Sequence, residues 1–200
     1  METIINYIVE LVADWGYMGI FIMMFLESTI FPIPSEVVMI PAGYLAYKGE
    51  MNLYLTIIIG SLGALGGASF NYFIAKRYGR ELLLRFGKYI FFDEKKLHSI
   101  EAFFDKHGSF STFTGRLIPG VRHFISIPAG LASMNLKKFA LYTILGATIW
   151  SAVLVLLGYF LGENSELIHQ YLKEITIITL IVLTLSTIIY IYFNKKRALK

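Results

Sequence analysis

The stretch FLESTIFPIPSEVVMIPAGYLA, residues 25–46, decides the fold because it places acids and helix breakers inside an apolar segment. The acids are Glu27 and Glu36, and the breakers are Pro32, Pro34 and Pro41. Proline removes a backbone donor and interrupts helices, and an ionised side chain at bilayer depth is costly. In a membrane, such a segment is tolerated only where protein or a water-filled cavity satisfies its polar groups.

The composition of the whole chain indicates that the surrounding medium is a bilayer. Of the 200 residues, 56% are hydrophobic and 16% are charged. Residues 52–75, 139–161 and 175–193 carry no charge, and a spanning helix needs about 20 apolar residues. The sequence therefore predicts an all-α polytopic membrane protein with a single membrane domain, residues 1–200. The chain has no cysteine, so disulfides and thiolate metal sites are excluded.

The positions of the basic residues predict an orientation. Residues 1–47 contain no Lys or Arg, whereas residues 76–106 contain eight, and the tail after residue 193 is also basic. By the positive-inside rule, the loop and the C-terminus are cytoplasmic. This rule also accounts for the pI of about 9.1, so no nucleic-acid partner is predicted.

Two apolar segments, residues 15–47 and 108–134, have to return to the side from which they enter. Each is interrupted by proline near its middle. We therefore predict two re-entrant helical hairpins. Two short crossing helices joined by an ordinary loop are the alternative that the sequence leaves open. The predicted hairpin breaks are Pro32, Pro34, Pro41, Pro119, Gly120 and Pro128.

The two segments resemble each other in sequence. FPIPSEVVMIPAGYLA at 31–46 aligns with IPGVRHFISIPAGLAS at 118–133, and an Ile-Pro-Ala-Gly motif occurs in both. A Met-Asn-Leu motif then precedes each following helix, at 51–53 and at 134–136.

Because the charges orient these two units oppositely, the pattern predicts an inverted repeat of the kind found in many transporters. Repeat 1 covers about 14–79 and repeat 2 about 106–162. Each consists of a proline-broken hairpin and a transmembrane helix. A C-terminal transmembrane helix at 175–193 follows the second repeat.

Four charged residues fall inside the predicted hairpins: Glu27, Glu36, Arg116 and Arg122. Intramembrane charges are rare and usually face a cavity or a partner. The two arginines flank a Pro-Gly pair, and a broken helix can turn both onto one anion. Arginine suits phosphate because its planar fork donates bidentately, so both are candidate ligands of a lipid phosphate. The acids can balance the arginines or carry protons. An ion pair that only locks the hairpins together is the alternative.

His123 is a further candidate, as a proton relay or a second phosphate contact. It follows Arg122 and aligns with Glu36 in the repeat. The alternative is an ordinary interfacial histidine. The remaining histidines show no metal-ligand spacing, so no metal, cofactor or catalytic residue is predicted.

Two motifs, E-x(4)-P-x-P-x-E and G-R-x-x-P-x-x-R, are similar to those of the DedA family, also called SNARE-associated or VTT-domain membrane proteins. They are formed here by Glu27, Pro32, Pro34 and Glu36, and by Gly115, Arg116, Pro119 and Arg122. The resemblance covers roughly residues 15–162. It implies a bacterial inner-membrane protein with two opposed re-entrant hairpins, an acidic pair and an essential basic pair. Many relatives carry an acid where this chain has residues 67–69, Gly-Ala-Ser, so no proton path is expected there.

The resemblance also implies a function. Members of the family are linked to moving lipids between leaflets, notably undecaprenyl phosphate or phosphatidylethanolamine, with dependence on the proton motive force. We therefore expect a proton-coupled lipid transporter, or flippase, whose partners are membrane lipids and protons, and which is not an enzyme. A homo-oligomer is left open. The alternatives are a proton-coupled antiporter of small cations or osmolytes, for which Glu27 and Glu36 suffice, and a membrane-bound lipid-phosphate enzyme.

Overall fold

The computed structural model describes residues 2–29, 34–79, 110–118 and 121–163, and the single residues 81 and 102. Six α-helices are bounded within these residues: α1 Glu2–Glu27, α2 Glu36–Tyr47, α3 Leu53–Ile74, α4 Phe110–Leu117, α5 Ser126–Leu131 and α6 Leu136–Phe160. A π-helical turn, Ala75–Gly79, extends α3, and a 3₁₀ turn, Leu161–Glu163, follows α6. No strand occurs in the described residues, so the prediction of a helical protein is confirmed. The helix predicted at 175–193 lies outside the described residues, as does most of the basic loop.

Two helices are long and apolar enough to cross a membrane. Leu53–Gly79 has 27 residues and Leu136–Phe160 has 25 residues. Both coincide with predicted transmembrane stretches. Their outward faces carry large exposed apolar side chains, among them Tyr54, Ile58, Leu62, Leu145, Ile149 and Leu157. Contiguous exposed apolar surface of this extent is typical of a face that contacts lipid or another protein.

The repeated Met-Asn-Leu motif has a structural explanation, since its asparagine begins each long helix. The Asn52 side chain accepts a hydrogen bond from the Leu55 backbone N–H at 3.0 Å. The Asn135 side chain accepts from the backbone N–H groups of Lys137 and Lys138, at 3.0 and 3.3 Å. Asparagine is among the preferred N-cap residues because its oxygen satisfies donors that have no partner in the first turn.

The two long helices run antiparallel and contact each other. Near the end of α3, Tyr72 stacks on Phe139 at the start of α6, with ring centroids 4.6 Å apart. Further back along α3, a Cβ at Gly60 would lie 3.7 Å from the Ser151 hydroxyl. Residues nearer the start of α3 therefore contact residues nearer the end of α6, as expected for two antiparallel helices.

Each broken segment turns back on itself. Gly16, with φ at 55°, bends α1, a conformation that glycine adopts without steric cost. Directly after this bend, the Tyr17 hydroxyl accepts a hydrogen bond from the Asn52 N–H at 2.7 Å, so the first segment ends where it began. In the second segment, the Thr112 hydroxyl contacts the Met134 sulfur at 3.3 Å. The entry of these segments from opposite membrane faces stays a prediction.

Each short helix packs on the long helix of the other half of the chain. A Cβ at Gly43 of α2 would overlap the Val155 carbonyl of α6, and a Cβ at Gly130 of α5 would overlap the Tyr72 carbonyl of α3. The two glycines correspond in the aligned segments. Tyr72 and Val155 correspond as well when both long helices are counted from their Met-Asn-Leu motifs. Residues that correspond in sequence therefore make corresponding contacts, and the internal repeat itself stays a prediction.

The predicted role of Pro41 and Pro128 as hairpin breaks is wrong. Pro128 lies in the first turn of α5, where a backbone N–H has no helical partner to lose. Pro41 lies inside α2 and removes one hydrogen bond. The helix continues because residues 36–43 are all buried, and packing rather than local propensity holds a short helix.

The first break lies between α1 and α2 instead. Within it, Pro34 directly precedes Ser35, the N-cap residue of α2. Pro32, Pro119 and Gly120 lie outside the described residues.

We expect Gly43→Ala to lower the free energy of unfolding by about 1–3 kcal/mol, the usual cost of forcing atoms into a packed interior. The added methyl group would meet the Val155 carbonyl, which is part of a helix backbone. Gly66→Ala is the matched control, because its methyl group would meet side chains rather than backbone, Phe25 at 3.0 Å and Phe21 at 3.9 Å. Unfolding midpoints in one detergent measure both. Equal losses of stability would contradict the crossed packing of α2 on α6.

Candidate functional site

The four charged residues predicted from the sequence converge in the interior. Glu27 ends α1, Glu36 begins α2, Arg116 lies on α4, and Arg122 lies in the turn before α5. Their exposed fractions are between 4% and 7%. Folding therefore buries charges that come from both halves of the chain, which is tolerated only when they have partners.

Arg122 bridges the two acids. Its Nη2 atom donates a hydrogen bond to Glu36 Oε1 at 3.2 Å and lies 3.5 Å from Glu27 Oε1. The two acids flank the first break, so one guanidinium of the second half is held by both sides of that break.

His123 joins the cluster through Glu27. Its Nδ1 atom lies 3.4 Å from Glu27 Oε1 and 3.4 Å from the Glu27 backbone carbonyl. A carbonyl oxygen only accepts, so a hydrogen bond between these atoms requires the tautomer with the proton on Nδ1. The neighbouring Ser28 hydroxyl donates to Glu27 Oε2 at 2.8 Å. The histidine thus contacts Glu27 rather than Glu36, with which it aligns in the repeat.

Arg116 differs from Arg122 in its partners. It donates from Nη2 to the Ser126 hydroxyl at 3.2 Å, and no carboxylate of the described residues forms an ion pair with it. Gly146 of α6 lets α4 approach closely here, since a Cβ at that position would come within 2.9 Å of the Arg116 Cβ. Within the described residues, the Arg116 Nε atom is buried and has no hydrogen-bond partner.

A cavity of about 20 Å³ adjoins the cluster, which is room for about one water molecule. The residues that line it are Met24, Glu27, Ser28, Ala64, Arg116, Arg122, Ala147, Trp150 and Ser151. Several buried polar atoms of the described residues have no hydrogen-bond partner, among them Glu36 Oε2, the Nε atoms of both arginines and Ser151 Oγ. Orphaned polar atoms in one place indicate where a water or a ligand is accommodated.

Neutral residues that were not predicted from the sequence complete the site. The Trp150 ring lies over the Arg122 guanidinium, 4.7 Å from its carbon, and the indole N–H donates to the Ser35 hydroxyl at 3.3 Å. Ser126 is the partner of Arg116. A search for charges inside apolar segments does not find such residues. Only Ser35 could have been suspected from the sequence, because it lies directly before Glu36.

The formal charges of the cluster cancel when both carboxylates are ionised and His123 is neutral, because two guanidinium groups face two carboxylates. Such an arrangement can exchange partners: an arriving anion can take the arginines, and the carboxylates can take protons. In the described part of the chain, no three His, Asp or Glu side chains are grouped as ligands of a metal ion.

The fold and the cluster define the class of the protein, a polytopic helical membrane protein with a buried charged site where its two halves meet. Residues 33–160 match the family model of the VTT domain. The chain belongs to the DedA family of VTT-domain membrane proteins.

Curated relatives match nearly the whole chain. Undecaprenyl phosphate transporter A of Bacillus subtilis is 33% identical and covers 100% of this chain and 98% of its own length. The alkaline phosphatase-like protein of Lactococcus lactis subsp. lactis is 34% identical, over 95% of this chain and 92% of its own. Protein DedA of Escherichia coli is 28% identical, over 96% and 90%. No solved structure matches the chain. Together with the two apolar helices, these bacterial relatives indicate a bacterial membrane protein.

Proposed function

We propose that this protein transports a phosphate-bearing lipid between the two leaflets of the bacterial plasma membrane, with undecaprenyl phosphate as the first candidate. The observation that carries this proposal is the pair of buried arginines on one cavity, of which Arg116 has no acidic partner in the described residues. The name of the Bacillus subtilis relative supports the choice of lipid. Phosphatidylethanolamine is the second candidate, because its phosphate offers the arginines the same oxygens.

The two arginines have different roles in this proposal. Arg116 makes the first contact with the phosphate, because no ion pair in the described residues has to break for it to do so. Arg122 joins when it leaves Glu27 and Glu36. Guanidinium groups bind phosphate through pairs of parallel hydrogen bonds, which favours arginine over lysine at such a site.

Proton coupling follows from the charge balance. A phosphate adds negative charge to a buried cluster whose charges cancel, and an uncompensated buried charge costs several kcal/mol. Protons taken up by Glu27 and Glu36, with His123 beside Glu27 as a relay, restore the balance and weaken the hold of the acids on Arg122. When the phosphate leaves, Arg122 returns to the acids and the protons are released. A ligand shifts such an equilibrium only through its different affinity for the two states.

The antiparallel arrangement of α3 and α6 supports a route for the lipid through the protein. We propose that the two segments enter as re-entrant hairpins from opposite faces and that the site between them opens alternately to each side, as in other inverted-repeat transporters. The repeats then cover about 14–79 and 106–162, and the C-terminus is cytoplasmic.

We expect Arg116→Lys and Arg122→Lys each to slow lipid transport about tenfold or more. Lysine keeps the charge but loses the fork, and a hydrogen bond to a charged group contributes about 1.5–3 kcal/mol, or tenfold per 1.4 kcal/mol. The assay measures the exposure of undecaprenyl phosphate on the outer surface of liposomes that contain the purified protein. Arg77→Lys, the same change at an exposed position, is the matched control.

Other outcomes of this assay distinguish the alternatives. Normal lipid transport by both folded lysine variants would refute the arginine site and favour an ion or osmolyte antiporter. Recovery of dephosphorylated lipid would favour an enzyme, as the name of the Lactococcus lactis relative suggests for that protein.

Glu27→Gln and Glu36→Gln should each abolish the acceleration of transport by an imposed pH gradient, because the amide keeps the shape of the side chain but cannot be protonated. The measurement is the ratio of transport rates with and without the gradient, which should fall to one in both variants. Glu50→Gln, at an exposed acid, is the control and should keep the ratio of the unaltered protein. A ratio above one in both site variants would show that the acids only hold the arginines.

The orientation is testable because the chain has no cysteine that would need to be removed first. A cysteine at the exposed position of Lys48 should react with an impermeant maleimide from outside the cell, and one at Lys137 only after the cytoplasmic face is opened. Labelling of both cysteines from the same side would exclude the inverted repeat.

A further inference from the structure

Trp150 of α6 contacts both halves of the charged cluster. Its ring face lies 4.7 Å from the guanidinium carbon of Arg122, and its indole N–H donates to the Ser35 hydroxyl at 3.3 Å. Ser35 directly precedes Glu36, one of the two acids that bind Arg122. The indole therefore contacts the residue before Glu36 and also the Arg122 side chain that Glu36 binds.

The contact with the indole does not use up the N–H groups of Arg122. A cation–π contact is an attraction between the charge and the ring, and here the guanidinium carbon lies 4.7 Å from the ring centroid. Arg122 can thus stay beside the indole while its N–H groups turn from the carboxylates to another anion. Its Nε atom is buried and has no hydrogen-bond partner in the described residues, and Arg122 lines the cavity together with Trp150.

A comparison with the other half of the chain shows what the large side chain changes. Counted from the two Met-Asn-Leu motifs, Gly67 of α3 is the equivalent of Trp150. At Gly67 the helices touch directly, since a Cβ there would overlap the Phe25 carbonyl of α1. At Trp150 the indole fills the equivalent place and lines the cavity. At this place, one half of the chain has a direct contact between two helices, and the other half has the indole beside the cavity.

We propose that Trp150 is the positioning residue of the transport site, a fixed platform on which Arg122 exchanges its carboxylates for the phosphate of the lipid. Trp150 acts through Arg122 and does not itself bind the phosphate. This inference rests on the proposed function, and the experiments below separate the failure of one from the failure of the other.

The first experiment uses the fluorescence of Trp150 itself. The chain contains two tryptophans, and Trp15 is exposed and lies beside the bend of α1 at Gly16. The variant Trp15→Phe therefore reports on Trp150 alone. Titration of the reconstituted protein with undecaprenyl phosphate should produce a saturable shift of the emission, because an anion arrives beside the cation on the ring. The matched control Trp150→Phe reports on Trp15 and should show no shift.

The second experiment separates the platform from simple packing. Trp150→Phe keeps an aromatic face but loses the hydrogen bond to Ser35, and should slow transport about threefold. Trp150→Leu keeps an apolar side chain but loses the face, and should slow transport about 30-fold, as expected from a desolvated cation–π contact of about 2 kcal/mol. Ile149→Leu, at an exposed position of the same helix, is the control and should transport normally.

The outcomes are distinct. If the Trp15→Phe protein moves the lipid but the emission of Trp150 does not respond, the inference is wrong and the proposed function stands. Equal rates for Trp150→Leu and the unaltered protein would overturn it as well. If the unaltered protein neither binds nor moves the lipid, the proposed function fails, and the inference fails with it. The fluorescence experiment retains the native Trp150 and so does not depend on how the Trp150 variants fold.

Discussion

The contact of Arg122 with Glu27 and Glu36 is the constraint on which the rest of the structure depends. Charges at bilayer depth are costly unless they are paired. These partners come from opposite halves of the chain, with Nη2 of the arginine 3.2 Å from one acid and 3.5 Å from the other. For these side chains to meet, the C-terminus of α1 and the N-terminus of α2 must both lie beside the turn before α5. The broken backbone is therefore a requirement of the site.

The limits of sequence-based prediction follow from the range of the interactions. A spanning helix requires a long run of apolar residues, and a buried charge is recognised by its residue type. Both features could therefore be predicted from the sequence. Pro41 was misinterpreted because helix breaking is a local property, whereas the packing that carries α2 through it is not. Trp150 and Ser126 could not be predicted from composition, because their roles depend on a contact with an arginine far along the chain or across a break.

The size of the cavity shows that the site is closed in this structure. A space of about 20 Å³ holds a water molecule but not a phosphate group, which has five heavy atoms. In the proposed function, binding of a lipid phosphate therefore requires the two broken segments to separate. The tight contact of Gly43 with Val155 joins α2 to the long helix of the other half. Helices joined in this way move together, so the opening has to occur at the carboxylate–arginine contacts, where partners can be replaced.

The two halves of the chain share their helix caps and glycine contacts but not their charges. Asn52 and Asn135 cap equivalent helices, yet Glu36 aligns with His123, and the arginine that holds Glu36 aligns with the uncharged Ser35. The first half thus supplies the carboxylates and the second half the guanidinium groups. Both halves are therefore needed for the charges of the site to cancel. In the proposed function, a transported phosphate competes with the first half for the arginines of the second. In that proposal, protonation of the first half and anion binding by the second are two parts of one exchange, and the complementary charges of the two halves couple them directly.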